Sequence, residues 1–213
     1  MADVLAARGH CALALSGGLT PRPVYAALAA PDLAGVVDWT RVEVYFGDER
    51  AVPPDDPASN FRMATDALLA RVAIPPSHIH RMEGERADLD AAAADYDRTL
   101  PAALDVLVLG MGADGHTASL FPGAAALTEE RRRVVVADSP KPPRRRITIT
   151  PPVIAAARHV MVLVTGKDKA PAVARALEGD TPVSDIPAAL ARHGVWFLDR
   201  AAALRLGGAR PVP

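Results

Sequence analysis

Six short apolar runs, each the length of a buried strand, recur along the chain at residues 11–15, 42–46, 106–109, 134–137, 160–164 and 195–198. Most are uninterrupted rather than alternating apolar with polar, so a sheet built from them has to be covered on both faces. Helix-like stretches separate them, at 21–30, 61–72, 87–100, 151–157, 167–177 and 186–192. This alternation predicts an α/β fold in three layers: an open, mostly parallel sheet with helices on both faces, Rossmann-like. The 213 residues suffice for one domain with a substantial core. No internal repeat or biased linker divides them, and residues 1–213 are expected to form a single α/β domain. The Pro-rich segments 50–60 and 138–146 read as loops over one end of the sheet.

Half the residues are apolar and 23% are charged, an ordinary balance for a soluble globular chain. The net charge of −1 gives no overall attraction to nucleic acid or to membranes. A single cysteine, Cys11, excludes an internal disulfide framework and fits a reducing compartment. No apolar run approaches the roughly 20 residues that span a bilayer. The apolar part of the N-terminal stretch is short and runs into a glycine turn, unlike a signal peptide. The cytoplasm is the expected location.

Open parallel sheets bind ligands beyond the carboxyl ends of their strands, so the strand ends carry the functional reading. The first run is followed by Ser16-Gly17-Gly18-Leu19-Thr20-Pro21. Glycines allow close backbone approach, the hydroxyls of Ser16 and Thr20 can donate, and Pro21 suits a helix start. Such a turn can cradle an anion such as phosphate, or be a plain β–α connection. The second run leads into Asp48-Glu49-Arg50, three charges at a buried strand's end that must be solvated, paired or working; Asp48 and Arg50 could equally form a surface ion pair. Ser59-Asn60 reads as a helix cap.

The third run ends in DVLVLGMGADGHTASLFPG, residues 105–123, where Gly110, Gly112 and Gly115 have the G-x-G-x-x-G spacing of dinucleotide sites, and Asp138 lies where an acidic partner would stand. Pro122-Gly123 follows too soon for the long helix such a site needs, and Asp114 would put a carboxylate among the N–H groups meant for an anion. The alternative is a loop presenting Asp114 and His116, an imidazole able to act as a general base with a carboxylate to orient it. A lone His116 could equally cap the short segment after it. Arg144, Arg145 and Arg146 precede an alternating stretch that would hold Arg146 on a short strand. Lys169 stands at a helix start, where a cation is unfavourable unless an anion sits nearby.

The ordered series LALSGGLTP, YFGDERAVP, SNFR, DVLVLGMGADGHTASLFPG, SPKPPRRRITIT, TGKDKA and VWFLDRAAA covers nearly the whole chain, from Leu13 to Ala203. It closely resembles the glucosamine-6-phosphate isomerase/6-phosphogluconolactonase family, and within it the lactonase branch. The resemblance implies hydrolysis of 6-phospho-D-glucono-1,5-lactone in the oxidative pentose phosphate pathway. It implies that His116 is the general base, that Asp114 and Asp48 orient or polarise it, and that Arg50 binds substrate or stabilises the oxyanion. Ser16, Gly17, Gly18, Thr20, Arg146 and Lys169 would hold the 6-phosphate. No metal or redox cofactor is implied, and no partner beyond the sugar-phosphate lactone; a monomer or weak homodimer is expected, without nucleic acid or membrane. The alternative is an amino-sugar-phosphate deaminase or isomerase. That branch carries a Glu shortly after the His, where this chain has Phe121 and no carboxylate before Glu129. Family members usually have a further strand and helix ahead of the LALSGG strand. Only 12 residues precede Leu13, so those elements are expected to be missing.

Overall fold

A computed structural model describes residues 1–207. Eight strands follow in chain order: β1 (Cys11–Leu15), β2 (Val42–Phe46), β3 (Asp48–Arg50), β4 (Val106–Gly110), β5 (Val134–Asp138), β6 (Arg145–Ile149), β7 (His159–Val164) and β8 (Val195–Leu198). The helices are α1 (Ala2–Arg8), α2 (Pro21–Leu28), α3 (Pro31–Ala34), α4 (Asn60–Ala67), α5 (Leu89–Thr99), α6 (Pro151–Ala156) and α7 (Ala170–Leu177). Five strands form a wholly parallel sheet in the order β2-β1-β4-β7-β8. Its faces are covered separately. Cys11, Leu13 and Leu15 of β1, with Val106 and Val108 of β4, pack in one core with side chains of α1, α2 and α4. Ala12, Ala14, Leu107 and Leu109 point the other way, into a core shared with α5, α6 and α7. The two-residue period of a strand distributes each apolar run between two cores. Among the described residues, no helix is long and apolar enough to cross a membrane.

One strand departs from the expected sheet. The 134–137 run is β5, and it joins a separate antiparallel sheet of order β3-β6-β5. A four-residue apolar run carries no information about its partner, and its partners were hidden. β6 is Arg145-Arg146-Ile147-Thr148-Ile149, with Ile147 and Ile149 in the core and Arg146 and Thr148 on the opposite face. β3 consists of three charged residues that no hydrophobic pattern would mark.

The apolar-run reading placed nothing ahead of β1, where α1 now stands. Asp3 in its first turn, Arg8 in its last and Gly9 in the left-handed conformation (φ 82°) give it ordinary helix ends. Three expected helices are shorter or tighter in the structure, one of them because proline removes a hydrogen-bond donor. Pro171 cannot donate to the Lys167 carbonyl, so Lys167–Lys169 is a 3-10 turn before α7. The 186–192 stretch is likewise a 3-10 segment, Pro187–Ala191. The 61–72 stretch breaks at Leu68 into α4 and the 3-10 turn Leu69–Arg71.

Candidate active site

β1 pairs with β2 on one side and β4 on the other, so the connections after β1 and β4 leave in opposite directions and open a crevice between them. A cavity of about 530 Å³ lies there, roofed by the small sheet. Ser16, Gly17, Gly18, Thr20, Asp48, Arg50, His116, Arg146 and Lys169 all line it, and Asp114 stands behind His116.

The Nδ1 of His116 lies 2.6 Å from Asp114 Oδ1, which also accepts the His116 backbone N–H at 3.2 Å. These hydrogen bonds, the imidazole's first, hold the Asp114 carboxyl down at about 2. An ionised carboxylate only accepts, so Nδ1 carries the proton and Nε2 keeps its lone pair for a substrate or water. The ring rests against Phe121, with centroids 4.6 Å apart. On its other flank is Gly112, where a Cβ would come within 2.1 Å of His116 Nδ1. The middle glycine of the spacing that resembled a dinucleotide fingerprint therefore makes room here for the imidazole.

Asp48 has a different place from the one expected. Its Oδ2 accepts from Ser119 Oγ at 2.6 Å, and its Oδ1 from Asn60 Nδ2 at 3.0 Å, neither bond involving His116 or Arg50. Arg50 and Arg146 are cross-strand neighbours on β3 and β6. Burial lowers the Arg146 pKa, and the adjacent Arg50 charge lowers it further. Arg146 Nε donates to the Pro143 carbonyl at 2.8 Å, Arg50 Nη1 donates to the Ala58 carbonyl, and Arg50 Nε is buried with no protein partner. Two juxtaposed, desolvated guanidiniums call for an anion between them. Of the three arginines, Arg144, ahead of β6, and Arg145, on the strand's other face, are exposed, whereas Arg146 is buried and lines the cavity.

Across the cavity, the 16–20 turn is fixed from below. Tyr25 Oη accepts the Ser16 N–H at 2.9 Å and donates to the Ser16 carbonyl at 3.0 Å. Ser16 Oγ is buried and has no partner within the protein. Gly17 passes so close to Asn60 that a Cβ would meet its Oδ1 at 1.7 Å. Thr20 reaches Thr165, at the end of β7, with hydroxyls 3.0 Å apart. Lys169 lines the same end of the cavity and pairs with Asp168 at 3.1 Å.

Several contributors escaped sequence reasoning. Ser59 caps α4 by accepting from Arg62 N–H at 3.1 Å, but Asn60 turns its amide to Asp48 instead. Glu49 is buried and accepts from the Arg50, Asn60 and Phe61 N–H groups and from Ser59 Oγ. Burial raises its pKa, and those four bonds oppose the rise. Ser119, within the His116 loop, drew no reading from the sequence. The sign that could have pointed to it is a small polar residue inside an otherwise apolar ASLFPG segment, a weak one. Among the described residues, no group of three or more His, Cys, Asp or Glu is placed to hold a metal.

Residues 1–198 match the family of glucosamine-6-phosphate isomerases/6-phosphogluconolactonase. The chain belongs to this family. Among relatives in it, the 6-phosphogluconolactonase of Mycobacterium tuberculosis is 44% identical over 219 residues, covering 95% of this chain and 87% of that one. The 6-phosphogluconolactonase of Streptomyces coelicolor is 41% identical over 223 residues, covering 96% and 85%. Of solved structures, 6-phosphogluconolactonase from Trypanosoma cruzi superposes with a TM-score of 0.82 at 32% identity, covering 97% of this chain and 90% of that one. A monomeric glucosamine-6-phosphate deaminase superposes equally well, with a TM-score of 0.83 at 24% identity, which establishes the family's shared fold and nothing about chemistry.

Proposed function

We propose that this chain, acting as a single α/β domain, hydrolyses 6-phospho-D-glucono-1,5-lactone to 6-phosphogluconate. The observation that carries the reading is the Asp114–His116 pair, with Nε2 free, on a cavity whose other wall holds two adjacent arginines. His116 Nε2 takes a proton from water as its oxygen attacks the C1 carbonyl. Asp114 stabilises the imidazolium so formed. The carbonyl electrons move onto oxygen, where Arg50 stabilises the oxyanion. Collapse of the tetrahedral species breaks the C1–O5 bond, O5 takes the proton back from His116, and the new carboxyl ionises. The 16–20 turn, Arg146 and Lys169 hold the 6-phosphate. The names of the relatives quoted above support the same substrate. The deaminase alternative gains nothing from the site, since an apolar ring, Phe121, packs on the imidazole.

The test is lactone hydrolysis above the spontaneous rate, with the lactone generated in place by oxidation of glucose 6-phosphate. Wild type accelerates the reaction; His116→Ala, folded, loses most of the acceleration, on the order of 100-fold or more. A folded wild type that leaves the spontaneous rate unchanged refutes the reaction, and an unimpaired His116→Ala refutes the base. Release of ammonia from glucosamine 6-phosphate would restore the deaminase reading.

A further inference from the structure

β3 and β6 pair Asp48 with Thr148 and Arg50 with Arg146. Residues two apart on a strand share a face, so these four side chains form a square on the cavity side of the small sheet. Two corners are the guanidiniums. The other two hold Ser119: its Oγ donates to Asp48 Oδ2 at 2.6 Å and its N–H to Thr148 Oγ1 at 3.1 Å. Thr148 Oγ1 in turn donates to the Ile149 carbonyl at 3.0 Å, so its lone pair is aimed at Ser119. Asp48, Ser119 and Thr148 are all buried. Ser119 lies three residues after His116, in a loop closed by Gly112 N–H to the His116 carbonyl at 2.9 Å and Thr117 Oγ1 to the Gly110 carbonyl at 2.8 Å; the Gly115 carbonyl also accepts the Ala188 N–H at 2.9 Å, while Ser119 ties the loop to the small sheet.

The geometry points to Asp48 and Ser119 as positioning residues for His116. Asp48 does not act on the imidazole; it grips Ser119, and together with Thr148 it seats the His116 loop on the sheet that carries the arginine pair. The distance between the base and the anion clamp is thereby set by strand register, a rigid ruler of about 3.4 Å per residue, rather than by a loop. Asn60 holds the other Asp48 oxygen and lies under Gly17, so the 16–20 turn refers to the same point. Such fixing matters because a misplacement of about 1 Å costs on the order of 100-fold in rate.

This inference rests on His116 being the base, and its test separates the two ideas. Ser119→Ala is expected to lower kcat about 10- to 100-fold, with KM and the calorimetric Kd for 6-phosphogluconate within about twofold of wild type. Thr148→Val, which removes the acceptor for the Ser119 N–H, follows it, whereas Thr148→Ser retains kcat within a few-fold. Independently of turnover, the imidazole proton resonances of His116 move in folded Ser119→Ala. An unchanged kcat with unchanged His116 resonances overturns the inference. So does a raised KM with intact kcat, which would place Asp48 and Ser119 on the substrate. If Ser119→Ala fails to fold, Thr148→Val and Thr148→Ser decide by the same readings. If wild type proves inactive on the lactone, the reaction is wrong and the resonances alone decide the positioning.

Discussion

His116 is held on three sides by features of different chemical kind. Asp114 fixes its tautomer, Phe121 bounds one flank, and the missing side chain of Gly112 vacates the other. Gly112→Ala puts a methyl 2.1 Å from Nδ1 and must push the ring off its seat, so turnover falls by roughly 100-fold while stability changes little, as steady-state kinetics beside a thermal melt will tell. Asp114→Asn lowers turnover. Its amide no longer bonds the imidazole as a carboxylate does, nor dictates which nitrogen carries the proton, so kcat falls while KM changes little; an unchanged kcat would contradict the pairing. Stability responds separately. The Asp114 pKa is 3.8 ordinarily and about 2 in the fold, so its contribution is present above about pH 4 and lost as pH falls through about 2. Acid unfolding of Asp114→Asn is correspondingly flatter over that window.

Among the elements, two strands end in the same way. Where β1 runs out at Ser16, Tyr25 Oη both accepts from its N–H and donates to its carbonyl. Where β2 runs out at Phe46, Tyr96 Oη does the same, at 2.7 and 3.0 Å. Each buried hydroxyl replaces the ladder partner that the last strand residue lacks, and burial raises the pKa of both, Tyr25 to about 12. Tyr25→Phe strands a buried donor and a buried acceptor at once. It is expected to lose about 2 kcal/mol in urea unfolding and, because Ser16 opens the anion-binding turn, to raise KM more than it lowers kcat. Tyr96→Phe loses comparable stability at the end of β2. Neither tyrosine is recognisable from its neighbours in sequence, since each lies on a helix and serves a strand 9 or 50 residues away.

Over the whole molecule, function and anchorage occupy opposite ends of the parallel sheet. Asp105, at the entry to β4, is buried; it accepts the Ala12 N–H at 2.9 Å and pairs with Arg8 at 2.9 Å and Arg158 at 3.3 Å. It joins α1, β1, β4 and the lead into β7 at the end remote from the cavity. Asp105→Ala strands the buried Ala12 N–H and frees two partly exposed arginines, and is expected to cost about 2 kcal/mol of stability, with kcat per folded molecule unchanged; a fall in kcat at full folding would mean that the two ends are coupled. The parallel sheet, its two covered faces and the rim on which to look were legible in the chain, because burial on both sides writes itself as short apolar runs. The 16–20 turn and the loop that carries His116 were legible because each begins where such a run ends. What only the tertiary structure decided is the antiparallel sheet, the commitment of Asp48 to Ser119 rather than to His116, the choice of Arg146 among three arginines, and the part played by Asn60. These depend on pairing between β3 and β6, nearly a hundred residues apart and mostly polar on the face they present, and hydrophobic periodicity holds no record of which polar side chain will meet which.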